Sequence, residues 1–191
     1  MKLFMIRHGE TTANAARIYS GHSAVMLTEE GRRQAMAIAP VLKQISIDRV
    51  YSSDLRRVVD TQMLALPGWD VIRTPLLREF DVGSLEGKPY GVLPKELVAD
   101  YQSSKRYAPF GGESVPEVCE RVRQFIRILE QDPCENVVAF THNGVLNTML
   151  QIVLGAEIDR SAVKNNNCGI HVYEFTEGKW RLLALNYMAK V

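Results

Sequence analysis

Three short segments carry residues able to do chemistry. Arg7-His8-Gly9-Glu10-Thr11 follows the apolar run Leu3-Phe4-Met5-Ile6, and Thr141-His142-Asn143-Gly144 follows the run over 136–140. The third, Ser52-Ser53-Asp54-Leu55-Arg56-Arg57, closes a short strand-like stretch over 48–52. A neutral imidazole is a competent nucleophile near pH 7. A guanidinium beside it is costly to bury without an anion, and a glycine next in line lets backbone approach closely. His8 after a strand would by itself be a structural hydrogen-bonding group, but Arg7 and Gly9 tip it towards function. His142 alone is evenly balanced, and the helix start behind it weighs on the functional side. Arg56 and Arg57 point about 100° apart on a helix, so only one of them faces a shared pocket. His22 and His171 read as structural or solvated.

These segments need a scaffold that brings strand ends together. Residues 2–6 form an apolar run expected of a strand buried on both faces. A polar loop follows, then a helix from Thr28, its N-cap, with Ala35, Ile38, Leu42 and Ile45 inward and a kink or early end at Pro40. A helix over 53–66 is expected to bury Leu55, Val59, Met63 and Leu66, and a short strand falls at Val71-Ile72. The segment 80–112 is glycine- and proline-rich, with a short helix near 94–103. Ser114 and Glu117 form a capping box opening a helix with Val118, Val122, Phe125 and Leu129 inward. A strand over 136–141 leads into a helix marked by Val145, Met149 and Ile152, and two strands near 168–175 and 179–186 end the chain. Strands alternating with helices predict an α/β three-layer sandwich, a mostly parallel central sheet with helices on both faces. Ligands of such sheets bind beyond the carboxyl ends of the strands, where all three segments fall. Helix N-termini at Ser53 and Asn143 would add free N–H groups there, and the whole set suits an anion, phosphate first.

Composition fits that reading and narrows it. The 191 residues, 46% hydrophobic and 24% charged, suit one domain over 1–191, with 80–112 as a lid-like excursion. A net charge of +1 gives no reason to expect nucleic acid or a membrane surface as partner. Cys119, Cys134 and Cys168 are too scattered for a disulfide framework or a cysteine zinc site. No signal-like or membrane-spanning run is present, so the expected location is the cytoplasm. Gly83 to Pro89 resembles a phosphate-binding P-loop but is one residue short and lacks the hydroxyl that holds magnesium. His8-x-Glu10 lacks the second cysteine motif of a zinc deaminase.

The segments together resemble the histidine phosphatase superfamily, the phosphoglycerate mutase-like group. The resemblance runs through Arg7-His8-Gly9-Glu10-Thr11, Asn14, Gly21, Leu27-Thr28, Gly31, Gln34-Ala35, the stretch ending at Arg57, and Thr61. It continues through Leu77-Arg78-Glu79, Gly83, Glu86-Gly87, Gly112-Glu113-Ser114, Arg121-Val122 and Thr141-His142. It implies His8 as the nucleophile that becomes phosphohistidine, Arg7, Arg57 and His142 as phosphoryl ligands, and Glu79 as general acid. Asn14 and the backbone N–H of Asn143 would add phosphate contacts, and Gly21 would line the pocket. The chain departs from the pattern at Asn143, often glycine, at Asn147, often arginine, and at Ala24-Val25, where an aspartate is frequent. The implied activity is metal-independent hydrolysis of a small phosphorylated metabolite without a cofactor. The alternatives are phosphoryl transfer between hydroxyls, as in phosphoglycerate mutases, and a non-catalytic module that binds phospho-ligands.

Overall fold

The structure, a computed structural model, describes residues 1–103, 105–160 and 162–188. In chain order come β1 (Lys2–Arg7), α1 (Thr12–Ala16), α2 (Glu29–Ala37), α3 (Ala39–Leu42), β2 (Arg49–Ser52), α4 (Arg56–Ala65) and β3 (Ile72–Arg73). They are followed by α5 (Val98–Gln102), α6 (Val115–Glu130), β4 (Asn136–Thr141), α7 (Asn143–Leu154), β5 (Ile170–Thr176) and β6 (Lys179–Tyr187). The strands form one sheet in the order β3-β2-β4-β1-β5-β6. β3, β2, β4 and β1 are parallel, and β5 and β6 are antiparallel.

β1 and β4 are buried on both faces, which is why their sequences are continuous rather than alternating. Ile6, Val138 and Phe140 pack one way, with Ala35, Ile38, Leu42 and Val58 of α2–α4. Leu3, Met5, Val137 and Ala139 pack the other way, against Val122, Phe125 and Leu129 of α6 and Val145 and Met149 of α7. Each such side chain contributes roughly 1.5–3 kcal/mol by leaving water. The helices thus lie on both faces, as the alternation predicts. The kink at Pro40 is the break between α2 and α3. Ser114 and Glu117 cap α6 reciprocally, with the Ser114 N–H donating to Glu117 Oε2 at 2.7 Å.

Three local expectations need correction. The stretch after β1, read as loop, contains α1, because Thr11 and Asn14 cap each other through 3.1 and 3.2 Å bonds. α4 begins at Arg56 rather than Ser53, since Leu55 stays extended and the Ser53 Oγ accepts its N–H. The buried face of α4 is Arg57, Val58, Thr61, Gln62 and Ala65, whereas Met63 is 57% exposed. A stripe chosen for hydrophobicity misses a helix whose inward face is partly polar because it walls the site.

Candidate active site

Strand register builds the centre of the site. Arg7 and Thr141 are direct partners across β1 and β4, so His8 and His142, one residue further, emerge side by side. Their rings meet edge to face with centroids 5.2 Å apart, and the His8 N–H donates to the Thr141 carbonyl. His8 Nδ1 lies 2.7 Å from the Gly9 carbonyl, an oxygen that only accepts. Nδ1 therefore carries the proton and Nε2 keeps its lone pair. Burial, then the charges of Arg57 and Arg7, push the His8 pKa well below its ordinary value, so the ring is neutral. His142 is lowered in the same way, by burial and by Arg57. Its Nε2 meets the Ser53 hydroxyl at 2.9 Å, and its Nδ1 is buried without a partner among the described residues.

The two arginines are held by backbone oxygens, not carboxylates. Arg7 donates from Nη1 to the Asn165 carbonyl at 2.5 Å, and its buried Nε has no partner among the described residues. Arg57, 2% exposed, donates from Nη2 to the Gly21 carbonyl at 2.7 Å and from Nη1 to that of Ser23 at 3.3 Å. Arg56 on the next helical position faces outward and pairs with Asp60, so one arginine of the pair faces the site. Burial lowers both buried guanidinium pKa values, and the charge of Glu79 opposes that shift in each.

Glu79 sits where the excursion meets α7. Its carboxylate accepts the Gly144 N–H at 3.1 Å on both oxygens and its own neighbour's, Phe80, at 2.9 Å. A Cβ on Gly144 would stand 2.1 Å from Glu79 Oε1, so only glycine permits this approach to the start of α7. The Glu79 carbonyl is fixed in turn by His22 Nε2–H at 2.9 Å and Arg121 Nη2 at 3.0 Å.

These residues open on a cavity of about 860 Å³ lined by Arg7, His8, Asn14, Arg57, Glu79 and Asn143. Gly21 and His142 stand behind that lining. Gly21 works through its backbone, its carbonyl taking Arg57 and its N–H donating to Glu86 at 3.1 Å. A Cβ there would meet the Phe80 carbonyl at 2.6 Å. The false P-loop has a separate purpose, since Glu86 also accepts the His22 N–H and the Ser23 hydroxyl and so shapes the loop that holds Arg57.

Sequence reasoning gave no site role to Thr61, which it met only within the family resemblance, nor to Arg106 and Arg160. Thr61 accepts the Gly9 N–H at 3.0 Å and donates to the Arg57 carbonyl at 2.7 Å, joining two site segments. Its place one turn after Arg57 was the available signal. Arg106 lies 5.0 Å over the Tyr101 ring and 5.2 Å over Tyr107, and Arg160 lies 5.3 Å over Phe80. No spacing in the sequence foretells that aromatic wall.

Comparison with known proteins places the chain in a family. The chain is 35% identical over 161 residues to the adenosylcobalamin/alpha-ribazole phosphatase of Salmonella typhimurium, covering 81% of this chain and 80% of that one. It is 32% identical over 189 residues to the probable phosphoglycerate mutase GpmB of Cronobacter sakazakii, covering 94% and 87%. The phosphoserine phosphatase of Entamoeba histolytica, solved in complex with 3-phosphoglyceric acid, superposes with a TM-score of 0.87 at 26% identity over 98% of this chain and 97% of its own. The family model for the histidine phosphatase superfamily (branch 1) matches residues 3–188, a span that takes in all of the sheet but Lys2 and each of the three strand-end segments. The chain therefore belongs to branch 1 of the histidine phosphatase superfamily.

Proposed function

We propose that the protein hydrolyses a small phosphomonoester through a phosphohistidine at His8. The observation that carries this reading is the His8 tether. With Nδ1–H committed to the Gly9 carbonyl, Nε2 presents a neutral lone pair in reach of the charges of Arg57 and Arg7. In the first half, Nε2 bonds to phosphorus as the bond to the leaving oxygen breaks, and a proton from Glu79 goes to that oxygen. Arg7, Arg57 and His142 meet the charge spread over the three phosphoryl oxygens. Asn14 and the backbone N–H of Asn143 add contacts at the same end. In the second half, Glu79 takes a proton from water, the water oxygen bonds to phosphorus, and phosphate leaves with His8 neutral again.

Among the described residues no three His, Cys, Asp or Glu side chains gather where they could hold a metal ion, and the reading uses arginine charge instead. Hydrolysis is preferred to transfer because the excursion offers Lys88, Lys95, Lys105 and Arg106, of which Arg106 alone lines the cavity. The excursion serves here as a lid-like cover. The substrate is a phosphorylated metabolite, as the phosphoserine, alpha-ribazole and phosphoglycerate relatives suggest.

The test is alkaline denaturing quench of the protein with labelled phosphomonoester in the presence of EDTA. Acid-labile, base-stable label on His8 is expected, with a turnover loss on the order of 10⁴-fold or more in His8→Ala. Undiminished turnover of His8→Ala, or activity that EDTA abolishes and a divalent ion restores, overturns it.

A further inference from the structure

α7 lines the cavity with three carboxamides four residues apart, Asn143, Asn147 and Gln151. The first two are tied to a residue outside the helix. Asn165, 6% exposed, donates from Nδ2 to Asn143 Oδ1 and to Asn147 Oδ1, each at 2.8 Å. Its own Oδ1 lies 2.9 Å from Nε2 of the fully buried His171, whose Nδ1 faces the Tyr173 hydroxyl at 3.3 Å. A carboxamide oxygen cannot donate, so the His171 proton is on Nε2. The Asn165 NH₂ then has both hydrogens engaged. Asn143 and Asn147 must turn their oxygens to it and keep their own NH₂ groups for the cavity. No bond from either NH₂ to a described residue is formed. Reversing the first link would reverse every later one.

We infer that Asn165, oriented by His171, is a positioning residue that makes Asn143 and Asn147 hydrogen-bond donors to acceptor oxygens on the leaving group. The inference rests on the phosphatase reading above. The cavity is far larger than a phosphate, and the two amides run along α7 away from His142. They therefore address what lies beyond the phosphoryl group. The oxygens read in this way are those of hydroxyls or carboxylates, because an NH₂ donates equally to both.

The test compares kcat/KM for glycerol 3-phosphate and phosphoserine with that for phenyl phosphate, whose leaving group bears no further oxygen. Asn165→Asp keeps size and still accepts from His171, but draws both NH₂ groups away from the cavity. The ratio of either oxygenated substrate to phenyl phosphate should fall about tenfold or more, mostly through KM. A general effect on Arg7 or on folding lowers both sides of that ratio together, and such an equal loss overturns the inference. A fall for glycerol 3-phosphate assigns the donors to hydroxyls, and a fall for phosphoserine alone assigns them to a carboxylate. His171→Gln retains an N–H towards Asn165 and should preserve the ratio, whereas His171→Leu should lower it. Should Asn165→Asp not fold, Asn147→Leu is expected to lower the same ratio. Nitrogen-15 NMR of the wild-type protein must show His171 protonated on Nε2, and a proton on Nδ1 overturns the scheme. That last readout needs no turnover, so it tests the orientation of the amides separately from the phosphatase reading, even if the wild type hydrolyses none of the three esters.

Discussion

The two ends of the cavity are built by different means. At the phosphate end, His8, Arg57 and His142 are 4% exposed or less and are oriented by strand register and backbone carbonyls. At the opposite end, half-buried Arg106 rests on the rings of Tyr101 and Tyr107, while Arg160, also half-buried, lies over Phe80 but donates as well to the Gly144 carbonyl and the Thr148 hydroxyl. Main-chain acceptors fix a cation to within a few tenths of an ångström, whereas a ring face holds it over a broad area. The first arrangement suits one invariant group, and the second suits a leaving group of variable shape. Glu79 belongs to both, through Gly144 on one side and Phe80 on the other.

Substitutions should respect that division. The largest effect is expected at the junction. Glu79→Gln should reduce phosphorylation of His8 by alkyl phosphates ~10²–10⁴-fold. The p-nitrophenyl ester, whose oxygen leaves without a proton, should be much less affected in the burst phase. Equal losses in the burst would reassign Glu79 to positioning. Arg57→Lys is expected to lower kcat/KM ~10²–10³-fold for every ester, because lysine has no planar fork to span the Gly21 and Ser23 carbonyls and a phosphoryl oxygen. A substrate-dependent loss would blur the line between the two ends.

A third effect is read in stability. His8, His142 and His171 all have pKa values lowered by burial, His171 to about 4. Below the ordinary value of 6.5 the unfolded chain therefore binds more protons than the folded one. The stability these neutral rings contribute is complete above 6.5 and is lost as pH falls towards their folded values. For His171 alone the loss is roughly 2 kcal/mol by pH 5. Urea unfolding at pH 7 and pH 5 should show His171→Gln flattening the dependence by that amount. An unchanged slope would mean that His171 titrates normally. The smallest effect is expected at the ring-lined end, where Arg106→Leu should alter KM about fivefold or less, as for other half-exposed charges. A hundredfold loss there would erase the contrast.

The same contrast explains what the sequence disclosed. Arg7, His8 and His142 were legible because a strand buried on both faces is a plain apolar run, and the residues just past its end must lie at the sheet edge. Glu79 was not legible in this way. No long strand precedes it, β3 being only Ile72–Arg73, and it entered through the family resemblance. α4 defeated hydrophobic periodicity because Arg57, Thr61 and Gln62 are buried by their hydrogen bonds rather than by their apolarity. Asn165 and Arg160 come after α7 in a stretch without regular structure, so no period assigns them a direction. The excursion was recognised by its glycines and prolines, but the ring stacking that organises it depends on contacts between residues far apart in the chain, such as Tyr19 and Tyr107.

The carbonyl cradles of Arg7 and Arg57 have a thermodynamic consequence. Dipoles solvate a buried guanidinium without neutralising it, and Arg7 and Arg57 each lower the pKa of His8. The two guanidiniums thus still attract a tetrahedral anion, against the opposing charges of Glu79 and Glu86. On the proposed reading inorganic phosphate is the product, and it binds the native state and not the unfolded one. It therefore raises the melting temperature with the logarithm of its concentration above its dissociation constant. The interactions that stabilise the fold in this way also slow departure of the product. Resistance to heat and freedom from product inhibition consequently pull against each other at these two side chains.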